Sequence, residues 1–160
     1  MVPRDIPASA IADAVALLCV RACTELPDAV RGLLQDAAKN EPFPPAADTL
    51  QLIQQNADIA RSRRMPICQD TGMAVVYADV GQETHITGGL LADAVNDGVA
   101  RGYAEGYLRK SIVGDPIRRG NTGDNTPAVL HVRLVEGDRI TRTVAPTGFG
   151  SETMSRLAML

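Results

Sequence analysis

Residues 63–72 read "RRMPICQDTG", and within them Cys68, Gln69 and Asp70 place a thiol, a primary amide and a carboxyl at consecutive positions. Met65-Pro66 stops the pattern before them and Gly72 supplies a turn residue after them, so the three groups fall on a loop. Arg61, Arg63 and Arg64 lie just upstream. Neighbouring cations favour the thiolate, the form that binds metals and attacks electrophiles. The competing reading is a small buried thiol in a turn that Asp70 and Gly72 merely shape. Spacing alone leaves both open.

Other segments carry weaker signals. In "YLRKS", Arg109 and Lys110 stand at the end of a helical pattern. There they either complement the helix dipole or offer a guanidinium fork to a carboxylate. "PTGFGS" has the form of an anion-binding loop, because successive N–H groups present positive potential. It is not a phosphate-binding P-loop, since no Gly-Lys-Ser/Thr follows. Cys19 and Cys23 share a helix face one turn apart, a chelating separation, yet Cys19 lies on an apolar stripe and reads as core. His85 and His131 are the only histidines. They form no zinc-hydrolase ligand pattern, and neither is placed by sequence to serve Cys68 as the base of a cysteine hydrolase.

The composition narrows the classes. A length of 160 residues suits one domain, and 16 basic against 19 acidic residues give a net charge of −3 and no field that would attract nucleic acid or an anionic membrane. Aromatic residues make up 3% and tryptophan is absent, so stacking platforms for single strands are not expected. No apolar run approaches a membrane span, and the N-terminal one is interrupted by Asp13. Three cysteines make no disulfide framework. A cytoplasmic protein is expected.

The elements that must position these groups follow from periodicity. Ile11, Val15, Leu18, Cys19 and Ala22 predict a helix from Ser9 to about Thr24, and Pro27 opens a second one through Val30, Leu33, Leu34 and Ala37. A third, capped at Asp48 or Thr49, runs to the arginines at 61–64. Met73 to Val80 and "ETHIT" predict strands and a hairpin; "AVLHVRLV" and "RITRTV" predict another. Between them lies a helix from Gly89 to about Leu108. Its Ala94, Gly98, Gly102 and Gly106 recur every four positions. Each helical glycine costs roughly 1 kcal/mol relative to alanine, so the stripe predicts close approach of another backbone. Ser151 is the expected N-cap of a final helix. An ending in "LAML", with no capping glycine or basic residue, reads as part of a longer subunit. The order predicts an α+β fold: N-terminal helices, then mixed strands, hairpins and a long glycine-striped helix, in one domain over 1–160.

"MPICQDTGMAVV", "GGLLADAVNDGVARGYAEGYLRKSIVGDP", "RGNTGDNTPAVLHVRLVEGD" and "GSETMSRLAML" together resemble the iron–sulfur-dependent hydro-lyases, namely class I fumarate hydratase and the alpha subunit of L-tartrate dehydratase. The resemblance is strongest from about Met65 to Leu160. It implies that Cys68 is one of three cysteines holding a [4Fe-4S] cluster. The iron without a cysteine would act as a Lewis acid toward the hydroxyl of a 2-hydroxy dicarboxylate. It further implies that Gln69 and Asp70 contact the substrate, that Asp70 is catalytic, that Arg109 clamps a carboxylate, and that Gly150 matches a substrate-contacting glycine. The other two cluster cysteines of the family lie downstream of the region covered. Its threonine base and further carboxylate ligands belong to a beta subunit or beta domain, and an oligomer is expected. The family's glycine loop usually reads Lys-Gly-Gly-Gly-Ser-Glu-Asn, whereas here it is Thr147-Gly148-Phe149-Gly150-Ser151-Glu152-Thr153. That departure supports a competing expectation, a non-catalytic relative that keeps the fold as a binding or assembly module.

Overall fold

The computed structural model describes residues 3–158. Apolar residues three and four apart give helix α1 (Ala8–Thr24) one buried face, carrying Ile11, Ala12, Val15, Ala16, Cys19 and Cys23. Helix α4 (Leu91–Glu105) lies against it and buries Ala94, Val95, Gly98, Val99, Gly102 and Tyr103. A Cβ on Gly98 would stand 2.6 Å from the Ala12 carbonyl oxygen, and one on Gly102 would stand 2.7 Å from that of Ala16. The glycine stripe therefore lets two helix backbones touch. Gly106, the C-cap of α4, continues the stripe toward Val20.

Strand β2 (Met73–Gly81) runs between β4 (Val129–Val135), parallel to it, and β5 (Ile140–Thr147), antiparallel to it. Its Ala74 and Val76 alternate into the core shared with α1 and α4, and Leu130, Ile140 and Val144 of the flanking strands pack on that core. The two remaining strands, β1 (Arg4–Pro7) and β3 (Thr84–Thr87), form a separate parallel pair with Arg4 opposite Thr84. Helices α2 (Asp28–Asn40) and α3 (Pro44–Arg63) pack on each other, joined by the 2.7 Å Arg31–Asp58 ion pair. No residue of α2 is buried, and α3 buries only Ala57 and Ala60.

The architecture is α+β, as the order of patterns predicts, but both expected hairpins are replaced by other pairings. After Gly81 the chain does not turn back. Gln82 and Glu83 donate their N–H groups to Val135 and Gly137, and β3 goes on to pair with β1, a strand that the sequence pattern did not announce. Strands β4 and β5 are joined by the expected short turn, yet β2 lies between them. The turn at 136–139 passes over the end of β2, where the Gly81 N–H donates to the Arg139 carbonyl at 2.8 Å. A Cβ on Gly81 would meet the Gly137 oxygen at 2.4 Å, so the crossing depends on that glycine.

Three boundaries also move. Helix α3 starts at Pro44 rather than near Asp48, because proline suits the first helical turn, where its missing N–H has no partner to lose. Helix α4 is shorter at both ends than the pattern suggests. The final helix, α5 (Gly150–Thr153), is a single turn with Phe149 at its N-cap, so Ser151 is its second residue rather than the N-cap position. Residues 155–158 are not helical, and the last part of the expected helix, at 159–160, lies outside the described residues. Among the described residues no helix is long and apolar enough to cross a membrane.

Candidate functional site

Four loops meet beside the C-terminal end of α4. The first begins where Arg64 caps α3 in the left-handed conformation, with φ 51°. Ile67 is then pinned twice: its N–H donates to the Cys23 carbonyl, and its carbonyl accepts from Asn56 Nδ2, both at 2.9 Å. Cys68 and Gln69 follow, both exposed. The Cys68 thiol donates to Gln69 Oε1 at 3.5 Å, and its sulfur accepts from the Asp70 N–H at 3.4 Å. Asp70 is half-buried, and its Oδ2 accepts from the Phe149 N–H at 3.1 Å. This bond joins the first loop to the glycine loop at 147–150.

Beyond Asp70 the chain is deeply anchored. Thr71 is buried, and its Oγ1 accepts from the Arg109 N–H at 2.9 Å and donates to the Arg109 carbonyl at 3.2 Å. The Tyr103 hydroxyl, reaching up from α4, donates to the carbonyls of Thr71 and Gly72 at 2.9 and 3.3 Å. Burial, more than any neighbouring charge, pushes that phenol above its ordinary range, so it remains a donor. Asn125 is wholly buried at φ 64°. Its Nδ2 donates to the Gly72 carbonyl at 3.1 Å, while its Oδ1 accepts from the N–H groups of Ser111 and Ile112 at 2.7 and 3.3 Å. Gly72 itself has φ 57°, and a Cβ there would stand 1.7 Å from the Thr147 oxygen. No other residue type fits that contact.

The structure thus brings Asp70 to the glycine loop and the chain at 71–72 to Arg109. Arg109 is exposed, and Gly150 is exposed with no atom within 4 Å of the place a Cβ would take. The glycine loop is not open to an anion along its whole length. Its Gly148 N–H donates to Glu152 Oε1 at 2.8 Å, and its Phe149 N–H is engaged by Asp70. Cys19 and Cys23 belong to the core, where burial pushes their thiols up to about 12 and about 11. They stay protonated at neutral pH. His85 pairs with Asp5 at 3.0 Å on the β1–β3 surface, and His131 stacks on Tyr77 with ring centroids 5.0 Å apart. Neither histidine is joined to the loop junction by these contacts.

Among the described residues no group of three or more His, Cys, Asp or Glu could hold a metal ion. Cys68, an exposed loop thiol, fits one position in an iron–sulfur ligand set; the other thiolates of such a set are not among these residues. Sequence reasoning missed Thr71, Tyr103 and Asn125. The signal for Thr71 was its place directly after Asp70, while nothing in "GNTGDNTP" separates Asn125 from the other turn residues.

Fold and loops define an α+β domain that gathers a thiol, a carboxyl, an exposed arginine and a glycine loop at one junction. Residues 12–160 match the family described as fumarate hydratase (Fumerase), and the chain belongs to that family. It is 33% identical over 157 residues to the putative L(+)-tartrate dehydratase subunit alpha of Methanocaldococcus jannaschii, covering 94% of this chain and 54% of that protein. It is 34% identical over 105 residues to the anaerobic class I fumarate hydratase of Escherichia coli K12, and 36% identical over 105 residues to the aerobic one. Each of these matches covers 64% of this chain and 19% of the relative. The chain therefore spans about half the length of the first relative and about a fifth of the other two.

Proposed function

We propose that this chain supplies the substrate-orienting loops of a hydro-lyase that removes water from a 2-hydroxy dicarboxylate of the malate or tartrate type, or adds it back to the dehydrated product. The family match and the names of the relatives support the reaction class. The observation that carries the site is the pair of long-range links, Asp70 to Phe149 and Thr71 to Arg109, which gather Cys68, Gln69, Asp70, Arg109 and Gly150 around one junction.

Such a reaction moves a weakly acidic carbon-bound proton and a hydroxide. Arg109 is suited to hold one substrate carboxylate through its guanidinium fork. Gln69 offers an amide donor and acceptor to the hydroxyl region. Asp70, its Oδ2 oriented by the Phe149 N–H, is the proton-handling carboxyl on this chain. Cys68 would hold one iron of a [4Fe-4S] cluster, with the remaining thiolates supplied from outside these residues. When bound, that cluster supplies Lewis acidity for the substrate oxygen. A beta subunit or beta domain completes the carboxylate binding in this reading; the first relative is itself named as a subunit alpha. The assembly is oligomeric and cytoplasmic.

One observation favours a second reading, a binding or assembly module without chemistry: two N–H groups of the glycine loop are already taken by Glu152 and Asp70. The deciding experiment is anaerobic iron and sulfide reconstitution of the chain with its beta partner, followed by turnover assays on fumarate and L-tartrate. Hydro-lyase activity is expected, with the cluster absorbance lost in Cys68→Ser. A cluster-loaded assembly that turns over neither substrate would sink the catalytic reading in favour of the second.

A further inference from the structure

A buried threonine hydroxyl is satisfied by a single carbonyl, as Thr24 is by the Val20 oxygen at 2.9 Å. Thr71 does more. It binds both the N–H and the C=O of one residue, Arg109, which lies 38 positions along the chain. Holding both peptide groups that flank one Cα fixes the direction in which that residue's side chain leaves the backbone. The hydroxyl is itself fixed, because Thr71 is 5% exposed and its carbonyl is held by Tyr103. Asn125 ties the next residue pair, Gly72 to Ser111 and Ile112, so the two strands of loop cannot slide past each other without breaking buried bonds.

We infer that Thr71 is a positioning residue: its hydroxyl aims the Arg109 guanidinium at the Cys68–Asp70 loop, so that a small carboxylate arriving beside Cys68 meets a cation. The inference rests on the reading of Arg109 as a carboxylate clamp. It adds the group that makes the clamp work and assigns the anion-selectivity of the loop to an uncharged buried side chain.

The test uses this chain and two alkylating reagents of similar size, iodoacetate and iodoacetamide. Each forms a sulfur–carbon bond as iodide leaves, and they differ in carrying a carboxylate or a neutral amide. Cys19 and Cys23 are buried in the core, so the reaction reports on Cys68. The ratio of the two rates at one pH cancels the thiolate fraction and the general accessibility of the loop. At low salt the wild-type ratio should exceed that of Arg109→Gln by about fivefold, the size of effect produced by a unit charge a few ångströms away in water-like surroundings. Raising the salt to about 1 M should compress the difference.

Thr71→Val, which keeps the shape and removes the hydroxyl, should fall to the Arg109→Gln ratio, whereas Thr71→Ser should hold the wild-type value. Thr71→Ala carries the same expectation as Thr71→Val without placing a methyl against the Arg109 carbonyl, and circular dichroism melts establish which variants are folded. Folded Val or Ala variants that keep the wild-type ratio, while Arg109→Gln loses it, would overturn the inference and leave Thr71 a structural residue only. An unchanged ratio in Arg109→Gln itself would instead overturn the clamp reading, since Arg109 would then not face the Cys68 loop at all.

Discussion

The two sides of the loop junction are held by different means. On one side Thr71, Tyr103 and Asn125, all buried, tie Gly72, Arg109, Ser111 and Ile112 into a network whose centre is buried. On the other side the glycine loop is joined by the Phe149–Asp70 and Gly148–Glu152 bonds, and its Phe149 and Gly150 are exposed. Buried hydrogen bonds are costly to break because each leaves a desolvated group unpaired; bonds near the surface can be exchanged for water. The thiol and arginine side is thus set in advance, and the glycine side is the part that can reshape around a ligand.

Substitutions can break this contrast or sharpen it. The largest effect belongs to Gly72→Ala, because φ 57° is strained for alanine and its Cβ would lie within bonding range of the Thr147 oxygen. A loss of about 4 kcal/mol or more is expected, read as a urea midpoint shift or as failure to fold. Asn125→Ala comes next. It removes the acceptor of the Ser111 and Ile112 N–H groups and leaves the Gly72 carbonyl with only the 3.3 Å bond from the Tyr103 hydroxyl, at a cost of about 2–4 kcal/mol. The smallest effect is expected at Gly150→Ala, where the space is open and stability should stay within about 0.5 kcal/mol. A large loss there would mean that the glycine side is as rigidly packed as the other, and the contrast would fail.

Features set by local spacing were legible in the sequence, and those set by long-range pairing were not. The close approach of a backbone to α4 was legible because glycines at every fourth position record it in the chain itself, although the stripe does not say that α1 is the partner. The Cys68–Asp70 loop was legible because Pro66 and Gly72 punctuate it. The sheet was not: turn residues at 81–83 and 136–138 announce a reversal or a turn, but they do not say whether a third strand lies between the arms, and β2 does. The buried network was hidden for a related reason. Thr71 and Asn125 act over 38 and 53 positions, and a hydrogen bond of that span leaves no periodicity in either segment. The N-cap falls at Phe149, two residues before the expected Ser151, with Thr153 Oγ1 bonding back to the Phe149 carbonyl.

The position of β2 at the centre of its sheet has a consequence for synthesis. Both of its partners, β4 and β5, are encoded after it, and β5 is complete only at Thr147. At ribosomal speeds of about 5–20 residues per second, β2 spends several seconds with both edges unpaired and Val76 without its sheet neighbours. An unpaired apolar strand is a template for other chains. The nascent protein is therefore most in need of a chaperone during that interval, and slowing translation between codons 82 and 147 should lower its soluble yield more than slowing it anywhere upstream.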